Sequence, residues 1–171
     1  MPIRPDDRFS LVLQVTGAGY WEWCARDEPL TVSPQLLALF GIEGDAEVRL
    51  RERLSACVDA DDLKRLGEIA TEADQSGRPY TAVIRVRREN DGDLRWMRLV
   101  GQSFGLYTPD HSAVGTVVDI TEERALLHSL HHAQRQLEDA EQLAGVGSWS
   151  WDITSGDVHW WKETYRIRNV R

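Results

Sequence analysis

The chain has 171 residues, with 20 Lys+Arg against 28 Asp+Glu and a formal net charge of −8. One core of ordinary size would occupy most of that length, and so acidic a chain lacks the clustered lysines and arginines that nucleic-acid binding needs. Two cysteines (Cys24 and Cys57) are too few for a disulfide framework, no run approaches the ~18 apolar residues of a membrane span, and Met1-Pro-Ile-Arg lacks the apolar core of a secretion signal. A cytoplasmic chain with reduced thiols, no nucleic-acid partner and no membrane insertion is expected.

In chain order, residues 6–16 place Phe9, Val12, Leu13 and Thr16 on one helical face, and Gly17 ends the pattern. Tyr20 to Ala25 alternates bulky and polar side chains as a short strand does, and Asp27-Glu-Pro29 turns it toward Leu30–Val32. Ser33 then caps a helix with Pro34 in its first position, Leu36, Leu37 and Phe40 on its buried face and Gly41 at its close. Asp45–Val58 reads as a second helix. A third starts near Asp61 and carries Leu63, Leu66, Ile69, Ala70 and Ala73 to Ser76-Gly77. The period then drops to two: Tyr80, Ala82, Ile84 and Val86 alternate with Thr81, Val83, Arg85 and Arg87, and Asp91-Gly92 is a strong hairpin signal. Leu94–Phe104 and Ala113–Ile120 supply two further strands. The order predicts an α+β domain with helices on one sheet face.

An internal repeat divides the chain. Gly17-Ala-Gly-Tyr-Trp21-Glu-Trp23 returns 128 residues later as Gly145-Val-Gly-Ser-Trp149-Ser-Trp151. One complete module, a connector and the opening of a second copy are therefore expected. Four of the seven tryptophans, Trp149, Trp151, Trp160 and Trp161, fall in that opening. Rings of this size do not lie freely in water; they are expected to pack on the connector or a dimer mate, or to be poorly ordered.

Gly19-Tyr-Trp-Glu-Trp23, Val58-Asp-Ala-Asp-Asp62, Arg85 to Trp96 across an Asp-Gly turn, and Asp119-Ile-Thr121-Glu-Glu-Arg together resemble a PAS sensory domain. The likeness is to the Trp-x-Trp type with PAC-like C-terminal strands found in bacterial sensor histidine kinases and diguanylate cyclases. Cys24 stands where that type usually has Asp. The resemblance implies a five-stranded antiparallel sheet with helices over one face, an N-terminal flanking helix over 1–18, the sensory domain over 19–120, a connector helix over 121–144 and a truncated second PAS start over 145–171. It also implies no catalysis within this chain, often a small-molecule cavity between helices and sheet, and a signal leaving through Asp119, Ile120 and Thr121. Candidate wall residues are Leu36, Phe40, Leu54, Leu66, Ile69, Ile84, Trp96 and Leu99, each equally explained as plain core. Trp21 and Trp23 share one side of their strand and read as packing residues rather than ligand platforms.

The connector can be read by itself. Leu126, Leu130, Ala133, Leu137, Ala140 and Ala144 follow alternating steps of four and three, a heptad seam. It suits a parallel two-stranded coiled coil in a homodimer, or a helix packed on its own sheet or on the next module. His128, His131 and His132 read as a solvated face, since no cysteine or carboxylate completes a metal set. With no histidine before position 111, the helix-borne haem ligand of such sensors is missing. Cys57 lies outside the Asn-Cys-Arg context of a covalent flavin site. Neither cofactor is assigned. Arg85, Arg87, Arg95 and Arg98 alternate along two paired strands, which suits either an anion site or a solvated, ion-paired sheet face. Two function classes remain: a small-molecule-responsive sensory module, or a ligand-free dimerisation and relay module.

Overall fold

The computed structural model describes residues 5–24, 30–43, 49–105, 108, 111–144, 149–160 and 164. They divide into two compact units, 1–122 and 123–171.

The first unit runs α1 (Pro5–Thr16), β1 (Gly19–Cys24), β2 (Thr31–Val32), α2 (Pro34–Phe40), α3 (Leu50–Cys57), α4 (Ala60–Ser76), β3 (Tyr80–Arg87), β4 (Leu94–Phe104) and β5 (Ser112–Asp119). The five strands form one antiparallel sheet in the order β2-β1-β5-β4-β3. Leu36, Phe40, Ile84, Val86, Met97 and Val117 form the centre of the core, each 5% exposed or less.

Local chemistry sets the elements. Ser33 Oγ accepts the Leu36 N–H at 3.3 Å and also the Tyr20 N–H at 3.0 Å, so a single hydroxyl caps α2 and ties it to β1. A Cβ on Gly19 would stand 2.8 Å from Leu36 Cα; only glycine lets α2 sit that close to the sheet. Asp59, rather than Asp61, caps α4, its carboxylate accepting the Asp61 N–H. On α1 the expected face is not reproduced: Leu13 is buried while Val12 and Thr16 are exposed, and the side chain of Phe9 lies outside those described. Of the helix expected over Asp45–Val58, α3 supplies the part from Leu50, and residues 44–48 lie outside the described residues.

The sheet has two edges, and the sequence treats them differently. β2 is only two residues long. β3 is long, and the start of α4 occupies the outward backbone groups at its middle: the Val83 carbonyl accepts from Arg65, the Arg85 N–H donates to the Asp62 carboxylate at 2.8 Å, and the Arg85 carbonyl accepts the Asp59 N–H. An unpaired edge of this length would invite pairing with another chain. Here Asp62, 1% exposed, covers the edge at Arg85, and also binds the Arg85 and Arg65 guanidinium groups at 2.8 Å each.

The second unit holds most of α5 (Thr121–Ala144), then β6 (Trp149–Trp151) and β7 (Val158–Trp160). α5 is an unbroken helix of 24 residues, about 36 Å long at 1.5 Å per residue. Leu126, Leu130, Ala133, Leu137, Ala140 and Ala144 are all exposed along it. In the terminal hairpin Trp149 faces Trp160, the pairing of Trp21 with Val32 repeated at the 128-residue offset. Trp149 and Trp151 are exposed, whereas Trp21 and Trp23 are half-buried.

Candidate functional site

Helices α2, α3 and α4 leave an open-mouthed cleft of about 200 Å³ over the core face of the sheet. Its floor follows from one row of the ladder. Val32, Trp21, Gly115, Gly101 and Tyr80 lie side by side across β2, β1, β5, β4 and β3. The two middle positions have no side chain, and the flanking rings fold inward over them. A Cβ on Gly115 would stand 2.7 Å from Trp21 Cζ2, and one on Gly101 would stand 3.1 Å from that atom and 2.8 Å from Tyr80 Oη. The wall is almost wholly aliphatic or aromatic: Leu36, Phe40, Leu54, Leu66, Ile84 and Leu99 line it, with Leu63, Val58 and Val117. No charged side chain is among the lining residues.

Polar groups at the cleft are few. The Tyr80 hydroxyl pairs with Ser103; burial pushes its phenol up, and the Ser103 bond pulls the other way. Ser55 reaches the rim from α3. Trp21 Nε1 is sealed from solvent and has no hydrogen-bond acceptor among the described residues. Next along β1, Trp23 lies between the Arg51 guanidinium, 5.3 Å from its ring centre, and an edge-on His111 at 4.9 Å. Cys57 is a buried thiol pushed up by burial, away from thiolate chemistry.

The start of α5 is fastened to the same sheet at Trp96. Its N–H donates to Thr121 Oγ1 at 2.9 Å and its carbonyl accepts the Ile120 N–H at 2.8 Å, while Asp119 Oδ1 accepts the Thr121 N–H at 2.8 Å. Ile120 is buried, and Asp119 also faces the Arg95 guanidinium at 3.6 Å. Arg85 and Trp96 face each other in register. Arg85 turns its backbone groups outward to α4, and Trp96 turns its own toward Ile120 and Thr121. The first turn of α4 and the first turn of α5 are thereby joined through two adjacent residues of the sheet.

No protein-family model matches the chain. A curated relative, the Non-motile and phage-resistance protein of Caulobacter vibrioides, is 26% identical over 153 residues, which is 88% of this chain. The chain spans only 18% of that relative's length. Among solved structures, a sensory box histidine kinase/response regulator from Burkholderia thailandensis superposes with a TM-score of 0.60 at 23% identity, covering 77% of this chain and 98% of that one. The PAS domain of a protein from Colwellia psychrerythraea gives 0.51 at 14% identity, covering 67% of this chain and 96% of that one. The fold is that of a PAS domain.

Within this fold, Leu36, Phe40, Leu54, Leu66, Ile84 and Leu99 come together at the cleft, and two expected wall residues do not. Trp96 is three positions from Leu99, so the two-residue alternation of a strand sends it to the opposite face of β4; Met97, fully buried, occupies the core side. Ile69 packs on the core cluster from α4 without lining the cleft. Trp21 and Tyr80 are floor residues that periodicity alone does not separate from packing. The signal for them was the pair of glycines at 101 and 115, one in each of two otherwise regular strands. Among the described residues no group of three or more His, Cys, Asp or Glu could hold a metal, and no helix is long and apolar enough to cross a membrane.

Proposed function

We propose that this PAS domain is a non-catalytic sensory module of a bacterial signal-transduction protein, taking an uncharged small molecule in the cleft and passing the change to α5. The observation that carries the reading is the pair of bonds from the Trp96 backbone, its carbonyl accepting the Ile120 N–H and its N–H donating to the Thr121 hydroxyl. It ties the root of α5 to the sheet that floors the cleft, and Arg85, opposite Trp96, is gripped by the same α4 that contributes Leu63 and Leu66 to the wall. A guest that wedges α4 from the sheet therefore loads both ends of one short path. A ligand shifts such an equilibrium only by its difference in affinity for the two arrangements.

Output would use α5 paired in parallel with α5 of a second copy, with Leu126, Leu130, Ala133, Leu137, Ala140 and Ala144 as the seam. Six exposed apolar positions in heptad spacing on a 24-residue helix support this pairing. The hairpin β6–β7 is read as the start of a second PAS domain, supported by its repeated register. The resemblance to a sensory box histidine kinase supports a kinase as the output enzyme.

Light scattering of the chain at high micromolar concentration, with and without the paired changes Leu130→Glu and Leu137→Glu, tests the output half. A dimer that the double variant turns to monomer is expected. A wild-type monomer, or a dimer the variant leaves intact, would refute the seam. Mass spectrometry of the natively purified chain reads the input half, where a neutral small molecule is expected to co-purify or to bind on addition.

A further inference from the structure

We infer that α3 is the movable wall of the cleft, a helix that lifts from the domain while the rest of the fold stays intact, and so the door through which a guest enters. This rests on the proposed small-molecule reading of the cleft and adds to it the route by which the molecule arrives. Leu54 and Ser55 bring α3 to the cleft, and Ser55 is exposed at its rim. The three helices that wall the cleft are attached in different ways. α2 is bound to the sheet region at both ends: the Ser33 hydroxyl joins its start to Tyr20, and at its close the Phe40 carbonyl accepts the Glu89 N–H at 2.9 Å. α4 is bound to β3 through the buried Asp62 and through Arg65, which donates to the Val83 carbonyl at 2.7 Å.

α3 is held more loosely. Of its eight residues only the last, Cys57, is buried; Leu50, Arg53 and Leu54 are half-buried and the other four are exposed. Its far end is pinned, because Val58 bridges to Val86 and the Asp59 N–H donates to the Arg85 carbonyl at 3.1 Å. Its near end starts from Arg49 at φ 51° and ψ 34°, the one non-glycine residue at positive φ among the described residues, and no side chain caps the helix there. Left-handed geometry costs a residue with a side chain energy that lifting of the helix releases. Between the two ends, guanidinium groups hold the body. Arg53 donates from Nε to Glu89 Oε1 at 2.9 Å, and from Nη2 to Glu89 Oε2 and to the Glu43 carbonyl, the last at 2.9 Å. Arg51 lies over Trp23. The bonds from Arg53 hold the Glu89 carboxyl below its ordinary value, with desolvation opposing them. Yet the two side chains are 23% and 38% exposed, and pairs of this kind add little to stability and are screened by salt. A helix kept closed by such contacts belongs to the low-stability end of a fold, from which moving parts are drawn. α3 is therefore the wall that yields, and α4, gripping Arg85 opposite Trp96, is the wall that reports.

Native-state hydrogen exchange on the whole chain tests the lifting without any guest. The amides of Leu54 to Cys57 are expected to exchange about tenfold or more faster than those of α2, although α2 is one residue shorter, and faster again than those of the β3–β4 ladder. Two variants then separate lifting of α3 from unfolding of the whole. Arg53→Gln is expected to speed α3 exchange up to about fivefold. Asp62→Asn is expected to speed exchange of the ladder and leave α3 unchanged, because the bonds of Asp62 persist when α3 alone lifts. If α3 exchanges no faster than α2, or if Asp62→Asn speeds it as much as Arg53→Gln does, α3 opens only with the fold and the inference is overturned. Toluene tests the route, being one methyl larger than the benzene that a cavity of about 150 Å³ takes and so within the cleft's 200 Å³. Its binding, followed by calorimetry, is expected to slow α3 exchange, since a guest beneath Leu54 favours the closed helix. Binding without slowing would overturn the door. No binding would fail the small-molecule reading and the entry role with it, while the guest-free exchange still decides whether α3 lifts.

Discussion

Asp62 is the residue on which the most can be staked. Its carboxylate is 1% exposed and receives four donors: the Arg85 backbone N–H and Nε at 2.8 Å, Arg85 Nη2 at 3.2 Å and Arg65 Nη2 at 2.8 Å. Breaking a buried pair by removing one partner costs about 3–5 kcal/mol when the other is left stranded. Arg85 is not stranded, because its side chain is 35% exposed and keeps Asp59 at 2.8 Å, so Asp62→Ala is expected near the lower end, about 3 kcal/mol. Asp62→Asn, which retains one acceptor for the Arg85 N–H, is expected to cost about 2 kcal/mol. Against a total of roughly 5–15 kcal/mol, either is a large loss. The bonds from Arg85 hold the Asp62 carboxyl below its ordinary 3.8, with desolvation opposing them. The native state therefore binds fewer protons than the unfolded state as pH falls past that value. The stabilisation is complete above the unfolded value and drains away as pH drops through the lower folded one. Urea unfolding followed by circular dichroism at pH 7, 5 and 3 should show the gap between wild type and Asp62→Asn steady from 7 to 5 and narrower at 3. A gap below about 0.5 kcal/mol at pH 7, or one that widens toward pH 3, would refute the account of the clamp. Because Asp62 also covers the edge of β3 at Arg85, both variants should scatter light more on standing than the parent.

Other outcomes follow from the same contacts. Gly115→Ala would put a methyl 2.4 Å from the Val100 carbonyl and 2.7 Å from Trp21 Cζ2; a loss of about 2–3 kcal/mol in denaturant melts is expected, with a changed near-ultraviolet dichroism as the indole leaves the floor. Thr121→Val removes the acceptor of the Trp96 N–H, and hydrogen exchange should show that amide losing protection, with a stability loss of about 1–2 kcal/mol. Unchanged protection there would count against the fastening of α5 to the sheet.

The fold was largely legible because its signals are local. Ser33-Pro34 and Gly41 bracket α2, the alternation from Tyr80 to Val86 sets β3, Gly92 at φ 74° makes the turn, and the Asp119-Ile120-Thr121 string marks the root of α5. The site was less legible, for two reasons of geometry. Trp96 is a candidate wall residue in the sequence, but a strand assigns faces by parity, and parity with Leu99 sends it to the other side. Trp21 and Tyr80 were not separable from packing because their role depends on a cross-strand register. That register sets residues nearly a hundred positions apart in one row, and no window of sequence contains it. The partner of Asp62 was hidden for the same reason: a carboxylate one turn into a helix reads as a dipole complement until the strand beside it is known.

The pairing of β1 with β5 has a consequence for how the chain comes to be folded. Gly19 meets Val117 only after almost the whole module has been made, so β1 and β2 wait as a small hairpin for the strand that covers them. Non-local closure of this kind is slow. A second hairpin with the same Trp-x-Trp pattern and the same register emerges soon afterwards, and that shared pattern predicts that it competes for the same side of β5. Synthesis in order favours the first hairpin, which is present when β5 appears. After full denaturation both compete at once. Refolding of the whole chain should therefore be slower and less complete than refolding of a chain ending at Ala144, and the difference would be a direct measure of how much the order of synthesis matters to a protein that repeats its own first strand.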